Sequence, residues 1–207
     1  MRIAPLTLPE PPRYAQRGMS DFDTSRNRLL ELLKRDSVFH GDFILASGAK
    51  SNIYVDCRIT TMNPEAAVLL GKVLYAKIRA ALGDKKPVAV GGLTMGADPV
   101  AMAVGIASWN ADADAGLKVF CVRKQAKDHG QGRRVEGNFK KGDHVVVVDD
   151  VITSGKSTLQ AIEAIEAEGG IVDLVACLVD RESGGREKFA EKGFQLVSVF
   201  SKAEVFQ

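Results

Sequence analysis

Val145–Thr158 reads VVVVDDVITSGKST, and this stretch decides the fold. Four consecutive valines are β-branched and wholly apolar, the composition of a strand hidden on both faces. Two adjacent aspartates follow. A buried strand has no cheap place for paired carboxylates, so the strand is expected to emerge into a site at Asp149 and Asp150. Thr153, Ser154, Gly155, Lys156 and Ser157 then form a turn and open a helix over Ser157–Glu168, which Gly169 and Gly170 terminate. An opening helix presents unpaired backbone amides and the positive end of its dipole, so a monophosphate fits the turn. The tail GKST also belongs to the nucleoside-triphosphate loop, but that pattern needs a glycine where this chain has Asp150. The plainer alternative is a helix capped by Thr153 or Ser154 with two solvated aspartates, and the four-valine strand before the pair disfavours it. Carboxylates accept hydrogen bonds from vicinal hydroxyls while nearby amides hold a phosphate, and a ribose 5-phosphate presents both groups.

Working outward, short apolar runs recur at Val88–Val90, Leu117–Val122, Ile171–Val179 and Gln195–Phe200, with helical segments at Pro99–Trp109 and Arg186–Glu191 between them. That alternation predicts an α/β fold with a central, mostly parallel sheet flanked by helices. Ligands of such sheets bind at the carboxyl ends of the strands, so the residues after Val90, Val122, Val148 and Val179 are expected to meet. After Val90 comes GGLTMGADP, in which Gly91 and Gly92 would permit close backbone approach. After Val122 comes Arg123–Lys141, with seven basic residues against two acidic ones. After Val179 comes Arg181, whose forked guanidinium suits a carboxylate. Upstream, Leu29, Leu30, Leu32 and Leu33 predict a first helix over Ser25–Arg35, with Val38 and Phe39 closing its apolar face. Phe43–Ile59 alternates around Gly48 as a hairpin with its turn near Ser47–Ser51. Pro64 starts a helix whose stripe of Leu70, Leu74, Ile78 and Ala81 runs to Gly83.

The chain has 45% hydrophobic and 26% charged residues, and no run approaches the roughly 20 apolar residues of a membrane span. Its 28 basic residues nearly balance 26 acidic ones, which gives no global drive toward nucleic acid. Cys57, Cys121 and Cys177 are odd in number and sit in apolar runs that read as strands, the setting of reduced thiols in a cytoplasmic protein. Pro5, Pro9, Pro11 and Pro12 break any signal or transit helix, so residues 1–20 read as a loosely ordered extension and residues 21–207 as one domain.

These segments carry a family likeness. VVVVDDVITSGKST resembles the signature of the type I phosphoribosyltransferases, which displace pyrophosphate from phosphoribosyl pyrophosphate (PRPP). RKQAKDHGQGRRVEG resembles the mobile catalytic loop of the orotate phosphoribosyltransferases, with the R-K-x-x-K-x-H-G arrangement falling on Arg123, Lys124, Lys127, His129 and Gly130. FILASGAKSNIYVDCR resembles their N-terminal hairpin and DRESGGRE their arginine-bearing segment, so the likeness spans roughly residues 25–205.

The resemblance implies a type I phosphoribosyltransferase fold with a helix-hairpin hood at residues 38–62 and a mobile loop at residues 123–141. It implies Mg2+-dependent transfer of phosphoribosyl from PRPP to orotate, giving orotidine 5'-monophosphate and pyrophosphate in pyrimidine synthesis. Lys124, Lys127, His129, Asp149 and Asp150 would be catalytic. PRPP would be held by Arg123 and those loop residues, by Gly91 and Gly92, and by Asp149, Asp150, Val151, Ile152, Thr153, Ser154, Gly155, Lys156 and Ser157. Orotate would lie against Tyr54, Val55, Thr153 and Arg181. Magnesium would be bound by substrate and water, with Asp149 and Asp150 reaching it only indirectly. The family likeness also implies a homodimer in which Arg123 stays in its own site while Lys124, Lys127 and His129 serve the partner's.

Cations that arrive only as the loop closes would stabilise the departing pyrophosphate preferentially. Two positions depart from some family members, which have lysine where this chain has Ala46 and Gly96. A purine or uracil enzyme is disfavoured by the loop spacing. A PRPP-sensing, RNA-binding regulator would need a broad basic face, whereas the basic excess is confined to one loop and 6% of residues are aromatic.

Overall fold

The computed structural model describes residues 19–44, 50–125 and 133–206. Ala46, Lys127, His129 and Gly130 lie outside the described residues, as does nearly all of the N-terminal extension.

Six strands form the central sheet: β3 (Ala89–Leu93), β4 (Lys118–Val122), β5 (Val135–Gly137), β6 (His144–Ile152), β7 (Ile171–Asp180) and β8 (Leu196–Ser201). Their order is β5-β4-β3-β6-β7-β8, and every neighbouring pair is parallel except β4 with β5. The four valines show why such a sheet needs cover on both sides. Val146 and Val148 join one core with Leu70, Leu74 and Ile78 of α3 (Pro64–Leu82) and Leu29, Leu32 and Leu33 of α1 (Met19–Ser37). Val145 and Val147 point the other way, into a core with Ile162 and Ile165 of α5 (Lys156–Ala167) and Phe189 of α6 (Gly185–Glu191). Each is fully buried, and each contributes about 1.5–3 kcal/mol of apolar burial.

Several boundaries differ from those read in the sequence. Strand β6 does not stop at Val148: Val151 and Ile152 still pair with Val179 and Asp180, so both aspartates lie within the strand. Strand β3 likewise runs on through Gly91 and Gly92 to Leu93, and α4 (Ala97–Ala111) follows after three residues. The segment expected to be mobile as far as Lys141 contains β5, an antiparallel edge strand in which Val135 pairs with Val122 and is buried.

The hairpin begins at Val38 rather than Phe43. Strands β1 (Val38–Ile44) and β2 (Lys50–Val55) pair antiparallel, with Val38 opposite Val55 and Phe39 opposite Tyr54. Cys57 is not on a strand but opens α2 (Cys57–Thr61), whose N-terminus is capped by the Asp56 carboxylate accepting from the Arg58 amide. Cys57, Cys121 and Cys177 are all free thiols. A last helix, α7 (Lys202–Phe206), follows β8 and had no counterpart in the sequence reading.

Candidate active site

The carboxyl ends of β3, β6 and β7 bring together three loops, and Asp149 and Asp150 lie at their meeting point. Both aspartates are buried, 5% and 8% exposed. Asp149 is held from three directions. Its Oδ2 accepts from Ser157 Oγ at 3.0 Å and Thr158 Oγ1 at 2.9 Å, while its Oδ1 accepts from the Asp150 amide at 3.0 Å. Asp150 Oδ1 accepts from the Val151 amide at 2.8 Å.

Burial, reinforced by the neighbouring Asp150 charge, pushes the Asp149 carboxyl up to about 7 against the opposing pull of the two hydroxyls. Burial also raises Asp150, opposed chiefly by the Val151 amide and partly by Arg58. Arg58 forks onto Asp56, with its Nε at 2.8 Å and a terminal nitrogen at 2.7 Å. It is the cation that α2 brings within electrostatic reach of the pair.

The loop after β3 lies directly on these carboxylates. A Cβ at Gly96 would stand 2.7 Å from Asp150 Oδ1 and 3.1 Å from Asp149 Oδ1, so only glycine lets the backbone come this near without displacing them. Thr94 fixes the loop: its amide donates to Val122 O at 2.9 Å and its hydroxyl to Asp98 Oδ2 at 2.6 Å. Asp98 Oδ1 is buried without a hydrogen-bond partner among the described residues. Gly91 and Gly92, expected to approach a ligand, are instead buried inside β3. A Cβ on Gly92 would lie 2.0 Å from Val148 O, and one on Gly91 2.3 Å from Phe120 O, so their bareness serves strand packing.

The turn after β6 leaves Thr153, Lys156 and Ser157 exposed and Ser154 half-buried. Gly155 adopts φ +73° at the start of α5, where no side chain caps the helix. The first amides of α5 therefore have no side-chain cap among the described residues. The Ser157 hydroxyl is engaged with Asp149. Sequence reasoning placed Thr158 at the opening of the helix but did not find it as Asp149's second hydroxyl donor. A strand–turn–helix connection folds residues eight and nine positions later back beside the strand's end, which is the signal that could have found it.

At the base of the basic loop, the Arg123 amide donates to Arg134 O at 2.8 Å, and its guanidinium lies 3.7 Å from Glu136. Lys124 is exposed. Lys127 and His129 lie outside the described residues, so their proximity to the aspartates is not part of this geometry.

Arg181 follows β7, and its amide donates to Ile152 O at 2.8 Å. Among the described residues Arg181 forms no ion pair with the adjacent Asp180 or Glu182: Asp180 accepts from Arg186 Nε at 3.0 Å and from the Glu182 amide at 2.8 Å. The guanidinium of Arg181 stands 5.4 Å from the centroid of Phe206, and its Nε is buried with no hydrogen-bond partner among the described residues. On the hairpin, Tyr54 is 40% exposed and its ring lies 5.5 Å from Phe43 and 6.3 Å from Phe39. Val55 beside it pairs with Val38. Among the described residues no group of three or more histidine, cysteine, aspartate or glutamate side chains could cage a metal ion. Two buried carboxylates alone match a cation carried mainly by oxygen ligands of substrate and water.

Comparison with known proteins gives a consistent picture. The phosphoribosyl transferase domain matches residues 61–205. The orotate phosphoribosyltransferase of Rhodopirellula baltica is 43% identical over 170 residues, covering 81% of this chain and 87% of the relative. The crystal structure of the Mycobacterium tuberculosis H37Rv orotate phosphoribosyltransferase with Fe(III) dicitrate superposes with TM-score 0.77 at 39% identity, covering 88% of this chain and 99% of that one. The same enzyme in complex with PRPP gives TM-score 0.72 at 35% identity, with 88% and 99% covered.

Proposed function

The chain belongs to the orotate phosphoribosyltransferases, and from that premise we propose that its site performs the magnesium-dependent transfer of phosphoribosyl from PRPP to orotate, releasing orotidine 5'-monophosphate and pyrophosphate. The observation that carries this reading is the juxtaposition of a buried aspartate pair, a glycine-backed loop on top of it and an uncapped helix N-terminus beside it. The pair suits the ribose hydroxyls, the open amides of Ser154–Ser157 the 5-phosphate, and the Thr94–Gly96 backbone the pyrophosphate.

No side chain need attack covalently. As the glycosidic C–O bond lengthens, positive charge grows on the ribose, and Asp149 and Asp150 favour it electrostatically. Arg123, Lys124, Lys127 and His129 receive the negative charge that leaves with pyrophosphate. Asp149 and Asp150 would hold magnesium only indirectly, through substrate and water, and the ion would supply further neutralisation of that charge. Arg181 takes the carboxylate of orotate, with Thr153 and Val55 beside the base and Tyr54 against its face.

A second subunit belongs to the same reading. Met102, Ile106 and Trp109 are spaced one helical turn apart along α4 and are 52%, 55% and 62% exposed, an apolar stripe that a partner copy would cover. That seat suits the exchange of the Lys124–His129 segment between subunits, and sedimentation of Trp109→Glu against the parent chain tests it: the parent sediments as a dimer and the variant as a monomer. No helix among the described residues is long and apolar enough to cross a membrane. The deciding assay follows PRPP consumption with orotate, uracil, hypoxanthine and adenine side by side. Turnover is expected with orotate; turnover with another base instead would overturn the acceptor while sparing the phosphoribosyl chemistry.

A further inference from the structure

We infer that the C-terminal helix is a positioning device for the acceptor site: Phe206, clamped in place by a Glu204–Arg26 clasp, fixes the guanidinium of Arg181. The inference rests on the reading of Arg181 as the carboxylate-binding residue.

An arginine that must meet a planar carboxylate in a forked geometry has several rotatable bonds to immobilise, and each one left free weakens the encounter. Proteins commonly immobilise such a side chain with a second-row carboxylate. Here that partner is absent among the described residues, because Asp180 is committed to Arg186 and the Glu182 amide. What does hold Arg181 is its backbone and one aromatic ring. Its amide is tied to Ile152 O, and Glu182 adopts a left-handed backbone with φ +50°, turning the chain sharply just beyond it. The Phe206 face then lies 5.4 Å from the guanidinium carbon, within cation–π range. An aromatic ring restrains the guanidinium without neutralising it, so the full charge stays available to a ligand.

A helix of only five residues would fray if nothing tied it down. α7 is tied at several points. Glu204 forms an ion pair with Arg26 of α1, accepts from the Ser201 amide at 2.9 Å and from the Ser201 hydroxyl at 3.1 Å. Arg26 also donates to Val199 O at 3.2 Å and stacks 4.7 Å from the Phe200 centroid. Val205 is buried to 2% exposure between these contacts. The clasp joins the first and last helices, so a contact distant in sequence from the signature motif sets the pose of the residue that selects the acceptor.

The test uses Phe206→Leu, which keeps an apolar side chain but removes the aromatic face, and Phe206→Tyr, which restores it. Phe206→Leu is expected to raise the KM for orotate about three- to tenfold with the KM for PRPP unchanged, and Phe206→Tyr to recover it. Combining Phe206→Leu with Arg181→Ala should add nothing to the loss caused by Arg181→Ala alone, because the ring acts only through the arginine. Multiplying losses, or an unchanged orotate KM in Phe206→Leu, would overturn the inference while leaving the acceptor reading intact. An unchanged orotate KM in Arg181→Ala would overturn the acceptor reading and this inference with it. Thermal unfolding of each variant separates a frayed helix from a mispositioned arginine.

Discussion

Replacing Asp149 by Asn should make the ligand-free protein more stable at alkaline pH while crippling its use of PRPP. In the fold the Asp149 carboxyl is raised from 3.8 to about 7, first by burial and then by Asp150. A raised acid is held preferentially in its neutral form, so the stability it confers is complete below the unfolded value and is lost as pH climbs through about 7. That interval corresponds to roughly 4 kcal/mol carried as a cost at pH 8 and above. Asparagine removes the cost and keeps most of the geometry. Its oxygen can accept from the Asp150 amide, and its NH2 can donate to the Ser157 or Thr158 hydroxyl. Allowing about 1 kcal/mol for each imperfectly replaced hydrogen bond leaves a net gain near 2 kcal/mol at pH 8. The gain should shrink as pH falls from about 7 toward the unfolded value of 3.8, below which the carboxyl is neutral in both the folded and the unfolded chain and the variant should be the less stable by about 2 kcal/mol. Urea unfolding of parent and variant across this range measures the difference directly. PRPP-dependent kcat/KM should fall about 10- to 100-fold through loss of a charge-assisted acceptor. A stability difference that does not change with pH, or a variant less stable at pH 8, would refute the claim that Asp149 is held near neutrality by burial.

Gly92→Ala should lower stability by about 3 kcal/mol or more, read as a drop in Tm, because its Cβ would sit 2.0 Å from backbone oxygen and has nowhere to go. Gly96→Ala meets side-chain oxygens instead, so the fold should survive while the KM for PRPP rises about tenfold, checked by initial rates and unfolding on the same sample. Lys127→Ala should cut kcat by about 100-fold or more while orotate binding, measured by calorimetry, changes about twofold at most. Equal losses in turnover and binding would contradict a role confined to the leaving group.

What the sequence made legible, and what it hid, follows from the range of the forces involved. Local patterns speak for local structure: Pro64 announced α3, and four valines announced a strand with two covered faces. Strand ends were misplaced where pairing partners outvoted composition. Asp149 and Asp150 look like loop residues, yet they remain in β6 because the adjacent β7 continues alongside to Asp180. Strand β5 was invisible because three residues within a charged segment carry no periodicity, and only Val122 across the ladder reveals it. Glycines mislead most. Gly91 and Gly92 carry the look of a phosphate loop but answer to Phe120 and Val148, while Gly96, which seemed only to lack a lysine, is the one that touches the carboxylates.

The two aspartates explain why such a site needs so much scaffolding. An isolated buried carboxylate relaxes by taking a proton, and an adjacent pair has twice the incentive. Ser157, Thr158 and two backbone amides oppose this without supplying a formal positive charge, and Arg58, already paired with Asp56, contributes only weakly to Asp150. Burial and Asp150 therefore raise the ligand-free Asp149 to about 7, with Asp150 shifted in the same direction, and on the proposed reading cationic character at the ribose would lower both acids and turn them into the charges that stabilise it. The same logic governs Arg181, whose charge is left unneutralised by any carboxylate among the described residues and is restrained instead by an aromatic ring. On the proposed reading the counter-charge at both ends of the site would come from substrate, so the electrostatic gain would be realised only when substrate is bound.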